Sequence, residues 1–267
     1  MRGTLLLRVL LYGGAVLDLL LLGKLWQLGL VRRYRMLSIY LVFSFFRSVA
    51  SVYLRQTGTR LFGFNGYAFL YVYTQPLLWA LFFLLILELY SLILEDFPGI
   101  RSLGRWVMFS GLGTATLAGC ALMLLDRQAG FFHYPFFAAL ALRERSVFLC
   151  LGALTALLVS FISHFRLPVA RNLLVLCASF GGYFILNAQL SILVHYFGDT
   201  FVSLRNVLNS SFFFAALLGA TVFLSKAGEM EARQISAPWA EQNRELELAL
   251  LSQLQGFNEV LAGVFRR

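Results

Sequence analysis

Apolar residues in this chain fall into long runs separated by short polar breaks. Seven runs are long enough to cross a bilayer: Val9–Leu30, Tyr34–Leu54, Tyr67–Leu92, Trp106–Leu125, Ser146–Phe165, Asn172–Phe197 and Phe201–Ser225. The criterion is physical: a hydrocarbon core about 30 Å thick is crossed by about 20 helical residues at about 1.5 Å each. Helix is the only open-chain solution there, because lipid offers no partner to an unsatisfied backbone group. The pattern therefore predicts an all-α, polytopic helical membrane protein with seven transmembrane helices.

Three stretches depart from this pattern. Gly130–Leu142 is apolar but only 13 residues long and contains Pro135, so it reads as an interfacial or re-entrant piece rather than a span. The start, through Leu22, has the flavour of a signal peptide. Arg8 splits its apolar core and no small-residue cleavage pattern follows, so it is taken as a retained first span. After Lys226 the composition turns polar. Ser236 and Pro238 mark a helix start, and Trp239–Ala262 sets Leu246, Leu250, Leu254, Phe257 and Leu261 on one stripe. The expected domains are thus a membrane domain, 1–225, and a cytoplasmic amphipathic helical tail, 226–267. A helix over 239–262 would be about 36 Å long, suited to a cytoplasmic protein partner, a homodimeric coiled coil or the bilayer surface.

Composition agrees. The chain is 60% hydrophobic and 13% charged with mean hydropathy +0.77, against about 25% charged for a soluble domain. Lipid must be the solvent for much of it. The net charge of +9 comes from basic residues lying between apolar runs, which points to anionic headgroups and not to nucleic acid. With seven spans, thirteen Lys and Arg fall on the C-terminal side and eight on the N-terminal side. The positive-inside rule then puts the C-terminus in the cytoplasm and the N-terminus outside an inner membrane. Cys120, Cys150 and Cys177 each sit inside an apolar run without a CxxC partner and read as small buried residues.

Candidate chemistry lies in the few polar side chains within the spans. Asp18, Arg47 and Glu88 are intramembrane charges, and such groups must face the bundle and find partners. Asp18 and Arg47 lie at similar depth, which predicts an ion pair. Glu88 lies within reach of Lys24 or of Arg32, Arg33 and Arg35. These charges serve either as a packing clamp on the first three helices or as a proton relay or ligand counter-charge. Polar stripes recur at helical spacing: Tyr67, Tyr71 and Gln75; Tyr40, Ser44, Ser48 and Ser51; Ser179, Tyr183, Asn187, Ser191 and His195; Ser203, Asn206, Asn209 and Ser210. They act as interhelical hydrogen-bond glue or line a polar, tyrosine-rich pocket opening outward. Pro76 leaves one helical carbonyl without a donor near the floor of such a pocket.

Other chemistries fail on specifics. His164 and His195 fall at opposite ends of their helices, and His133 has no acidic or cysteine partner at ligand spacing, so neither haem nor a metal is implied. The chain has no GxxxxGK[ST], HExxH, GxSxG or DxDxDG pattern and only one mid-membrane aspartate, so no enzyme and no cofactor is expected.

Leu87–Tyr90 (LELY), followed by FPGIRSLGRW at Phe97–Trp106, resembles bacterial, acidobacterial-type seven-helix integral membrane proteins. That resemblance implies the seven-helix fold and brings no activity with it. The layout also looks like the seven-helix sensor modules that precede histidine kinase or cyclase domains. No such domain follows here, so signalling would need a separate partner. The reading is a sensor or receptor-like module binding a small or lipid-like ligand. Its alternatives are a transporter or channel-like protein using the intramembrane charges, and a structural or accessory subunit of a membrane complex.

Overall fold

The structure, a computed structural model, describes residues 2–57, 60–61, 64–93, 135–165, 169–197 and 199–229, with isolated helical positions at 106, 109, 110 and 113 and between 252 and 263. It is helical apart from one two-residue ribbon. The helices are α1 (Arg2–Gln27), α2 (Arg35–Thr57), α3 (Gly66–Ile93), α4 (Pro135–Phe165), α5 (Arg171–Phe197) and α6 (Asp199–Phe223). Between α2 and α3, β1 (Arg60–Leu61) pairs antiparallel with β2 (Phe64–Asn65), Arg60 opposite Asn65.

Among the described residues, five helices are long and apolar enough to cross a membrane, over Val9–Gln27, Arg35–Leu54, Phe69–Ile93, Arg171–Leu190 and Leu204–Phe223. That is the mark of a multi-pass membrane protein. A sixth apolar stretch, Ser146–Ser160, is shorter and lies within α4. The outer surface is what lipid requires: Val16, Leu19, Leu20, Phe46, Leu77 and Val222 are exposed. The predicted fourth span and the helix at 239–262 lie outside the described residues apart from the isolated positions.

The structure corrects the reading of 130–142 as a separate piece. From Pro135 the chain is one helix running unbroken to Phe165. Proline is well suited to the first helical position, where its missing N–H would go unused. The following Leu-Arg-Glu-Arg sequence is made of good helix formers, so nothing stops the helix there.

α1 packs on both α2 and α6, α2 on α3, and α4, α5 and α6 on each other in succession. Side-chain bonds orient the helices. Lys24 near the end of α1 reaches Thr221 near the end of α6, and Tyr71 near the start of α3 reaches Glu144 in the first half of α4. The ends of α1, α3, α4 and α6 and the starts of α2 and α5 therefore share one end of the bundle. It carries Lys24, Arg32, Arg33, Arg35, Arg171 and Lys226 and is called the basic end below. α3 and α4 run the same way.

The interior is an aromatic cluster. Phe82 lies 4.8 Å from Tyr40, 5.0 Å from Phe184 and about 6 Å from Phe148 and Tyr183, ring centre to ring centre. It joins α2, α3, α4 and α5 by offset and edge contacts that add to their buried area. Where α4 meets α5 the backbones come close, because a Cβ on Gly181 would collide with Thr155. On α6 the small residues Ala216 and Ala220 are buried, so their spacing serves packing inside the bundle.

The turn after α1 aims the basic end. Gly29 has φ of 69°, a conformation that L side chains avoid. Its N–H donates to the Trp26 carbonyl and the Leu30 N–H donates to the Leu25 carbonyl, the paired bonds of a Schellman cap. Leu25 and Leu30 are both buried, completing that motif's apolar contact.

Candidate functional site

The polar residues inside the bundle join into one region, with pairings that differ from the expected ones. Asp18 and Arg47 do not pair. Asp18 is 1% exposed, and its Oδ2 accepts a 2.8 Å hydrogen bond from Ser44. Its Oδ1 meets no donor among the described residues. Tyr40, also buried, has its hydroxyl within hydrogen-bonding reach of Ser44 and feels the charge of Asp18. α2 lies between α1 and α3; Ser44 faces α1, and Arg47, about 60° further around the helix, extends its long side chain toward α3.

On α3 Arg47 finds what the stripe there offers. Its guanidinium donates to Gln75 Oε1 at 2.6 Å and lies over the Tyr71 ring, 5.5 Å from the centroid. The Tyr71 hydroxyl donates to Glu144 Oε2 at 3.3 Å, and Arg205 of α6 meets the same oxygen at 3.2 Å. Glu144 and Gln75 are buried. Arg47, Tyr71, Gln75, Glu144 and Arg205 thus form one chain of bonds across α2, α3, α4 and α6. Sequence reasoning had Arg47, Tyr71 and Gln75 but did not single out Glu144 or Arg205. A signal was present: a helix opened by Pro135 and carried through Leu-Arg-Glu-Arg puts Glu144 a turn inside the apolar stretch.

The remaining predicted residues divide. Tyr183 and Asn187 are buried and hydrogen-bonded to each other at 3.4 Å, and Tyr183 lies in the field of Glu144, Arg47 and Arg205. Asn209 is half-buried, its Oδ1 without a donor among the described residues. Asn206 is exposed, so it does not line the interior as expected. One residue is a turn of about 100° on a helix, and Arg205 takes the inward position instead. The side chains of Tyr67, Ser191 and His195 lie outside the described residues. Pro76 is exposed on the lipid side of α3, away from buried Gln75, and α3 continues through it.

A second set of bonds ties the basic end. Glu88 was placed near Lys24 or the arginines. Its main partners are instead backbone amides at the start of α2: both carboxylate oxygens accept from Met36 N–H at 3.0 Å, and Oε2 also lies 3.4 Å from Leu37 N. A carboxylate at a helix N-terminus satisfies orphan donors and complements the helix dipole. Arg35 contributes through its charge. Lys24 does the converse, donating to the Thr221 carbonyl at 2.5 Å and the Val222 carbonyl at 3.3 Å, where α6 ends.

Beyond α6, Glu229 returns to the bundle. It meets Arg33 Nε at 2.5 Å, accepts from the Tyr34 hydroxyl at 2.9 Å, and accepts from Asn172 Nδ2 at 3.0 Å. Asn172 also donates to the Ser225 carbonyl at 2.7 Å and accepts from Ser225 N–H at 3.1 Å. Burial, reinforced by the Glu229 carboxylate, pushes the Tyr34 hydroxyl far above the ordinary phenol value, so it remains a hydrogen donor. Gly228 makes room for this clamp, since a Cβ there would stand 2.6 Å from Asn172 Oδ1. The first residues past the last span are thus bonded to the α1–α2 turn and to the start of α5.

No protein family model, curated protein or solved structure matches the chain. Its chemistry rests on the geometry alone. The interior thus holds two arginines and two carboxylates in contact with polar side chains, and Glu229 ties the segment after α6 to the basic end.

Proposed function

We propose that the protein is a seven-span sensor or receptor-type module of a bacterial inner membrane, with the C-terminus in the cytoplasm. The observation that carries this is the buried network of Arg47, Tyr71, Gln75, Glu144 and Arg205, contributed by four helices. A charge held at membrane depth costs about 3 kcal/mol or more on insertion scales, and an apolar filling of similar volume is often the more stable choice. Retaining such groups across four helices therefore fits a binding or switching role better than glue. A small ligand bearing an anionic group would compete with Glu144 for Arg205 and Tyr71, which changes the link between α3, α4 and α6. The Glu229 clamp is the route by which that change reaches the C-terminal segment.

The seven-span count is supported by direction. α3 and α4 run the same way, so the chain must return between them, and the fourth apolar run is the segment available. Phe109, from that run, lies 5.5 Å from Phe83 of α3, ring centre to ring centre. The gathering of arginines and lysines at the basic end supports its being cytoplasmic.

The test is Glu144→Gln, which preserves shape and removes charge. Hydrogen exchange of the full chain in nanodiscs should show altered protection at residues 225–229 with helical content unchanged. Protection there identical to the parent protein would sink the coupling. A second reading, proton-coupled transport, is favoured by one observation: the deeply buried Asp18 with an oxygen that has no donor. It requires Asp18→Asn to stop proton-driven flux in liposomes, and undiminished flux rules it out.

A further inference from the structure

An open groove of about 490 Å³ runs between α1 and α2 on the outside of the bundle, lined by Leu22, Trp26, Val31, Ile39, Val42 and Phe46 among others, with Ser38 its one polar side chain. Both walls belong to helices apolar enough to span a membrane, so hydrocarbon is the medium beside it. Two arginines lie next to this lining toward the basic end. Arg35, Ile39, Val42 and Phe46 fall at helical spacing on one face of α2, so Arg35 heads the stripe that forms one wall. Arg32 follows Val31 directly, and the Arg35 Nε donates to the Arg32 backbone carbonyl at 3.1 Å, which anchors the Arg35 side chain to the turn that carries Arg32. Both are exposed. Trp26, 78% exposed, stands at the same level on α1, a depth where indole rings favour the headgroup boundary.

We infer that this groove is a binding site for one anionic phospholipid, its acyl chain along α1 and α2 and its phosphate on Arg32 and Arg35. Charge complementarity selects the headgroup. Arg33 is taken by Glu229 and Lys24 by the carbonyls at the end of α6. The acids at this end among the described residues, Glu88 and Glu229, have their oxygens occupied by Met36, Leu37, Arg33, Tyr34 and Asn172. Of the basic residues beside the groove, that leaves Arg32 and the outer part of the Arg35 fork, tempered by the nearby charge of Glu88, to meet a phosphate, a group whose geometry suits the guanidinium fork. From Arg35 to Phe46 the wall extends about 16 Å along α2, half of one bilayer core.

The experiment uses the purified full chain in mild detergent, titrated with phosphatidylglycerol or with phosphatidylcholine of the same acyl chains and read by native mass spectrometry. One phosphatidylglycerol should be retained in preference to phosphatidylcholine, and Arg32→Gln with Arg35→Gln should cut that preference by about thirtyfold. Equal retention of the two lipids in the parent protein overturns the proposal. So does a preference that persists in the double variant, which would place it on other basic residues. A second measurement needs no arginine variant: phosphatidylglycerol brominated on its acyl chain should quench the Trp26 fluorescence, identified by difference from Trp26→Phe. Quenching that is the same with brominated phosphatidylcholine at equal concentration also overturns it.

Discussion

Glu88 offers the sharpest test of how the basic end is built. Tyr34 occupies the N-cap position of α2, but its hydroxyl is spent on Glu229 and cannot turn back onto the helix. The missing acceptor comes from α3, through Glu88. Both oxygens share one N–H at 3.0 Å, and Leu37 is a weaker donor at 3.4 Å, so the contact amounts to about one full charge-assisted bond. Such bonds contribute about 1.5–3 kcal/mol, and the half-buried setting of Glu88 favours the lower part of that range. Glu88→Ala should therefore destabilise the fold by about 2 kcal/mol. Glu88→Gln keeps a carbonyl for Met36 and loses only the charge–dipole part, about 1 kcal/mol or less. Reversible unfolding in mixed micelles, followed by circular dichroism, gives the two values, and hydrogen exchange at Met36 gives the local effect. If Glu88 acted mainly as an ion-pair partner of the arginines, Gln and Ala would cost the same and salt would erase both losses. Equal costs, or an unchanged Met36 amide, would refute the capping argument.

Three further outcomes follow from the described geometry. Gly29→Ala should cost about 1 kcal/mol, because the left-handed residue of the cap gains a Cβ; an unchanged unfolding midpoint would show that the turn relaxes freely. Glu144 and Arg205 should show a coupling of about 1–3 kcal/mol in a double-mutant cycle with Gln at each position, and strict additivity would mean that the pair is not formed. Ser44→Ala should destabilise by about 1–3 kcal/mol because it leaves both oxygens of a buried carboxylate without a donor. Asp18→Asn should cost less than that, since it removes the desolvated charge, and the reverse order in the same micelle assay would contradict the environment described for Asp18.

Five of the expected spans are present among the described residues, and these were legible in the sequence because lipid enforces them. Only a long apolar helix survives in hydrocarbon, so the apolar runs carry the helices almost unaided. Depth was legible too, as residue number along a span converts directly to height. Azimuth was not. Asp18 and Arg47 share a height, yet α2 turns Ser44 to one neighbour and Arg47 to the other. Asn206 and Arg205 differ by one position, and only the assembled bundle decides which points inward. Glu144 was hidden by a different cause: flanking arginines and an upstream proline gave a helical segment the composition of a loop. Glu88 was expected beside Lys24 or the arginines, but a backbone amide has no signature in a list of side chains.

The bonds at the basic end also set a timetable for assembly. Lys24 waits for a carbonyl 197 positions later and Tyr34 for a carboxylate 195 positions later. At about 5–20 residues per second of synthesis, the first helix is in the bilayer for about 10–40 s before its final neighbour exists. During that interval the seam between α1 and α6 has no second wall, and the ring of helices cannot be closed by anything made earlier. The last residues made before the tail are therefore the fastening of the first ones: a chain interrupted before Thr221 would leave the Lys24 ammonium without its carbonyls, and one interrupted before Glu229 would leave the Tyr34 phenol without its carboxylate.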